Sequence, residues 1–301
     1  MQKWALSLAG FMLIAFCSYS QINLSDKKRL STNTLSVNDS ELAREIDIFI
    51  KDLVKQDKFS GVVIILKNDS AIYRGVFGNA SKEFNVPNTF STAFNLASMT
   101  KMFTGIAIAQ LVEQRKISFT HLATKYLPDL PDSLIKGITI HHLLTHTSGL
   151  TSYWTNEFHE SNHSKYRTLQ DYLPLLKKDK QQFIPGTKWA YSNTGFMLLG
   201  LIIEKISGMN YFDYIKKNIF DKAGMSNADF YESDVPNTNV AFAYTKYNRY
   251  KNDTTRYSNT FFIAPVKGSR QVEHLHQGKI YFILFIHYRI TNYYQKNLQI
   301  L

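Results

Sequence analysis

Cysteine is almost missing: Cys17 is the only one in 301 residues, which excludes both a disulfide scaffold and a thiolate zinc site. A long apolar run is missing as well. The stretch 4–16 stops at about thirteen residues, short of the roughly 20 that a membrane-spanning helix needs. Acidic side chains are scarce at the C-terminal end, where residues 246–301 hold nine Lys or Arg against only Asp253 and Glu273. That segment carries +7 of the net +11, so the basicity belongs to the last fifth of the chain. No zinc finger, RNP-like strand or basic recognition helix accompanies the charge, and a nucleic-acid partner is not expected. Hydrophobic residues at 44% and charged residues at 20% exclude disorder, collagen and simple repeats.

The N-terminus reads as an export signal. Lys3 precedes the apolar stretch 4–16, and Ser18 and Ser20 are small residues at −3 and −1 before Gln21. This predicts a signal peptide over 1–20 and a periplasmic or secreted protein with no cysteine and no stable membrane span after cleavage. Phe16 is bulky where a lipid-anchor site before Cys17 wants a small residue, so lipidation is not expected.

Residues 21–39 are polar and read as a linker. Ser40 can cap a helix in which Leu42, Ile46, Phe49, Ile50 and Leu53 recur at three- and four-residue spacing. The β-branched run 61–66, the turn Asn68-Asp69 and the run 71–77 predict a hairpin, within an N-terminal α/β part at 40–90. Residues 91–245 are dominated by helical periodicity interrupted by Pro128, Pro131, Pro174 and Pro185. The expected fold class is therefore α/β plus all-α, with the helical part inserted.

Three places carry chemistry. Ser98 and Lys101 stand three residues apart, on one face of a helix that continues through Met102, Phe103, Ile106, Ala109 and Leu111 and reads as buried. A serine hydroxyl needs a base, and burial can depress a lysine amine enough to serve. A helix start also offers N–H groups to developing negative charge. Ser25–Lys28 and Ser133–Lys136 match the spacing, but the first lies in the linker and the second in a proline-flanked loop.

Tyr191-Ser192-Asn193 precedes the apolar helix 195–203. The tyrosine can shuttle a proton and the asparagine can bind an amide, or Ser192 or Asn193 can simply cap the helix. Tyr250–Asn252 and Tyr257–Asn259 repeat the pattern with no helix behind them. His142 and His146 are four apart, yet no acidic residue joins them, and no metal is expected. His159 and His163 lie in a Ser/Asn/Glu-rich stretch and read as solvated.

Four segments in order — 59–67, 94–101, 138–150 and 185–200 — resemble the serine β-lactamase and penicillin-binding-protein superfamily, class C-like, whose signature includes Ser-x-x-Lys. The resemblance spans about residues 40–268. It implies an antiparallel sheet flanked by helices with an inserted helical domain, and an acyl-Ser98 intermediate on amide, ester or β-lactam substrates, including peptidoglycan-like peptides. It also implies Lys101 as base, Tyr191 as proton shuttle, Asn193 as binder of the substrate amide, and no metal or organic cofactor.

The C-terminal end departs from that family. No Lys-Thr-Gly occurs; His276-Gln277-Gly278 fits His-x-Gly formally but follows Tyr191 by only about 85 residues, and Lys222-Ala223-Gly224 reads as a helix end. Residues 246–269 read as a return segment, and 270–301 as an out-of-frame or otherwise foreign basic and aromatic tail in place of the family's last strands; re-sequencing the gene beyond codon 269 tests this. The sequence thus presents an exported serine hydrolase or, alternatively, a catalytically impaired pseudoenzyme that at most binds cell-wall peptides. Its oligomeric state is not legible.

Overall fold

A computed structural model describes residues 39–67, 70–237, 239–245 and 257–259. The expected signal peptide, linker and 270–301 tail lie outside them, as does nearly all of the return segment. The chain divides after Leu42 into two units, and of the first only residues 39–42 are described.

Helix α1 (Asp39–Lys55) starts one residue before the expected cap, with Asp39 and Glu41 in its first turn and Lys55 in its last, both matching the helix dipole. Ile46, Ile50 and Leu53 face inward as their spacing requires. Phe49, assigned by spacing to the same face, instead points out and is 59% exposed.

Strands β1 (Gly61–Lys67) and β2 (Ser70–Phe77) pair antiparallel from Gly61 opposite Phe77, with one irregularity between Ile65 and Leu66. The turn expected at 68–69 lies outside the described residues. Phe59, Val63 and Tyr73 close on Ile50 as a small core under the hairpin. Strands β3 (Asn79–Ser81) and β4 (Val86–Pro87) follow as a second short pair.

The helical part begins with a single 3-10 turn (Ala97–Thr100) that runs into α2 (Lys101–Glu113). The short helices α3 (Asp132–Ile135), α4 (Ile140–Leu144), α5 (Asn156–Glu160) and α6 (Leu173–Leu176) lead to α7 (Asn193–Ser207) and α8 (Tyr211–Ile215). Ser133, expected in a loop, sits in α3. The α2 helix is less buried than its sequence promised: Phe103, Ala107, Ile108 and Leu111 face the core, while Ile106 and Ala109 are exposed.

Helix α7 is the axis of the large core. Ser192 Oγ caps its start by accepting the Gly195 N–H at 2.9 Å, and left-handed Gly208 (φ +69°) ends it. Between them Leu198, Leu199, Ile202 and Ile203 are fully buried against α2, α4 and α8. Each such side chain contributes about 1.5–3 kcal/mol. A helix this apolar on every side can only be central.

After the helices the chain comes back. Ala93 N–H donates to Asn239 O (2.8 Å), Ala241 N–H to Ala93 O (2.9 Å) and Phe242 N–H to Ala80 O (2.8 Å). Strand β5 (Tyr244–Thr245) pairs antiparallel with β6 (Ser258–Asn259).

Candidate active site

Ser98 rides on the 3-10 turn and Lys101 opens α2. Residues i and i+3 eclipse in a 3-10 turn, so both side chains leave the same side. The turn is entered through Ala97 in a left-handed conformation (φ +46°), its N–H held by Asn95 Oδ1 at 2.8 Å. Lys101 Nζ donates to Ser98 Oγ at 3.3 Å and to Asn193 Oδ1 at 2.9 Å. The lysine is only 6% exposed and lies 4.8 Å from the Tyr191 ring centre and 5.5 Å from that of Phe196. The Tyr191 hydroxyl donates to Ser98 Oγ at 2.6 Å. The four residues singled out in the sequence therefore meet at one point.

Two loops bring them there. Segment 146–151 runs beside 182–193 through Gln182 N–H to Gly149 O (2.8 Å), Gly186 N–H to Thr147 O (2.8 Å), Ala190 N–H to His146 O (2.9 Å) and Asn193 N–H to Thr151 O (3.0 Å). Gly149 is required: its φ is +82°, and a Cβ there would meet Phe183 O at 2.4 Å. Ser192 is the cap and Asn193 the first helical residue, so the capping and the chemical readings of this tripeptide hold together.

Sequence reasoning missed Ser152, and weighed His146 only as a metal ligand. Ser152 Oγ accepts from Asn193 Nδ2 at 3.1 Å, which turns the amide oxygen toward Lys101. His146 Nδ1 accepts the Ser192 N–H at 3.0 Å. Burial and the nearby Lys101 charge hold the His146 imidazole down to about 4, leaving it neutral at ordinary pH. The other member of the histidine pair, His142, closes a capping box with Thr139 at the start of α4.

His163 is not the solvated residue its polar neighbours promised. Its ring stacks on Phe158 at 4.7 Å and its Nδ1 is buried without a hydrogen-bond partner. Tyr257, in the repeated motif, donates to the Asp57 carboxylate and does not join Ser98. Lys222 and Ala223 close a 3-10 turn before left-handed Gly224, as expected of a helix end. His276 and Gly278 lie outside the described residues.

A serine hydroxyl held between a buried lysine and a tyrosine phenol, at the mouth of a helical core, defines the class of serine hydrolases with a Ser-x-x-Lys centre. The chain belongs to the Beta-lactamase family, whose model matches residues 46–264. It is 35% identical over 190 residues to a penicillin-binding protein of Bacillus subtilis, covering 62% of this chain and 42% of that one. It is 28% identical over 220 residues to the esterase EstB of Burkholderia gladioli, covering 68% and 56%. Among solved structures, a penicillin-binding protein from Bacillus halodurans superposes with a TM-score of 0.64 at 31% identity, over 73% of this chain and 67% of that one. The chain spans about half the length of these curated relatives.

Proposed function

We propose that the protein is an exported acyl-transfer hydrolase that opens amide, ester or β-lactam carbonyls through an acyl-Ser98 intermediate. The observation that carries this reading is the convergence of Lys101 Nζ and Tyr191 OH on Ser98 Oγ, at 3.3 and 2.6 Å. Acting in its uncharged form, the Lys101 amine takes the Oγ proton as Oγ attacks the carbonyl carbon. Tyr191 then hands its phenol proton to the leaving nitrogen or oxygen and is reprotonated from Lys101, so the Oγ proton is in effect passed to the departing group. Asn193 orients Lys101 through Oδ1, while its Nδ2 is held by Ser152. The Ser98 N–H, at the start of the 3-10 turn, is the donor this reading assigns to the developing oxyanion. Water completes the cycle by hydrolysing the acyl-serine.

Export rests on the charged, apolar and small-residue order of residues 1–20. The relatives' names span penicillin binding and ester cleavage, and both chemistries fit the same acyl-serine. Labelling with a fluorescent penicillin and with a fluorophosphonate tests the reading. Attachment to the full chain, lost in Ser98→Ala, is expected. Folded protein that takes neither label would instead identify a non-catalytic descendant.

A further inference from the structure

His146 grips the chain on both sides of Tyr191. Its carbonyl accepts the Ala190 N–H at 2.9 Å and its Nδ1 accepts the Ser192 N–H at 3.0 Å. Its ring also contacts the Tyr191 ring at 4.6 Å with a 31° tilt, and the Phe196 ring at 5.1 Å with a 35° tilt. Main chain before, main chain after and aromatic face are thus all set by one residue. The backbone at His146 is itself left-handed, with φ +58°. That conformation is uncommon outside glycine, and histidine joins asparagine and aspartate among the side chains that adopt it more readily.

We propose that His146 is a positioning residue: it fixes the Tyr191 phenol within hydrogen-bond reach of Ser98 Oγ without touching substrate. The catalytic consequence rests on the acyl-serine reading; the structural grip does not. The imidazole is neutral at ordinary pH, and because Nδ1 accepts, its proton sits on Nε2. A protonated ring would lose that acceptor and place a positive charge beside the Lys101 amine.

Two variants separate the grips. His146→Asn tolerates the left-handed backbone and keeps an acceptor for Ser192 N–H, but removes the ring; His146→Phe keeps a ring and removes the acceptor. Each is measured by kcat and KM on a chromogenic ester. Each is also measured by the tyrosine ¹³Cζ resonance of Tyr191, assigned by its disappearance in Tyr191→Phe. The expected result is kcat lower by about 10- to 100-fold with KM little changed, the range for a displaced catalytic group. The Tyr191 resonance should also move toward the free-tyrosine position. Unchanged kcat or an unmoved resonance in either folded variant overturns the proposal. The wild-type spectrum decides even if neither variant folds: a Tyr191 resonance already at the free-tyrosine position overturns it, and a displaced one sustains it. A displaced resonance in wild-type protein that never acylates Ser98 sustains the grip and counts against the acyl-transfer reading instead.

Discussion

The Tyr191 phenol donates to Ser98 Oγ across 2.6 Å although 93 positions separate the two residues. If that bond carries the proton, Tyr191→Phe should lower kcat by about 10²- to 10⁴-fold, the usual range for a lost acid–base group. KM should stay near the wild-type value, because the phenyl ring still fills its place beside Lys101. Steady-state kinetics on an ester substrate checks this, and a KM-only effect would remove Tyr191 from the chemistry.

Asn193 is 1% exposed, so its amide depends on internal partners. Ser152→Ala leaves Nδ2 without the Ser152 acceptor and should cost about 1–3 kcal/mol of stability, the penalty for a buried group stripped of its bond. Urea unfolding measures that loss. Slower fluorophosphonate labelling should accompany it, since the amide then loses a bond that helps turn Oδ1 toward Lys101.

The His146 imidazole has an ordinary value of 6.5 and is held at about 4 in the fold. The unfolded chain accepts a proton near 6.5 that the folded chain refuses until about 4. Stability from this residue is therefore complete above 6.5, falls as pH drops through 6.5, and levels off below 4. The contribution is at most about 3 kcal/mol. Burial lowers His142 as well and adds the same sign, so the check is a difference. Between pH 7.5 and 4.5, wild type should lose more unfolding free energy than His146→Asn.

Thr104 and Tyr211 share a buried hydroxyl–hydroxyl bond of 2.7 Å on the α2–α8 face, and burial raises the Tyr211 phenol to about 12. Removing either hydroxyl strands the other, at about 1–3 kcal/mol. The pair Thr104→Val with Tyr211→Phe should destabilise by less than the sum of the singles. Strictly additive urea midpoints would contradict the bond.

The spacing of Ser98 and Lys101 was legible because three residues in a tight turn have only one arrangement, and the apolar run behind them marked which of three matching pairs was buried. Tyr191 and Asn193 were legible for the same reason: an apolar helix starts at Asn193, whereas Tyr257 stands in a polar, basic stretch of sequence. The roles of His146 and Ser152 were not, because no motif spacing or helix start marks them: their bonds to Ser192 and Asn193 form only where two loops meet. His163 was misjudged from its polar neighbours, since a ring stacked on Phe158 leaves no trace in composition. Outward-facing Phe49 and Ile106 show the limit of periodicity, which marks a helix face more reliably than its width.

Ala97 reaches Ser98 through a left-handed step that an alanine takes only under compulsion. Ala97→Gly should relieve that compulsion and raise the melting temperature, yet free the nucleophile to wander. Heat tolerance and turnover pull in opposite directions at this one methyl group, so a screen for hardiness alone would drift toward a sturdier and slower protein.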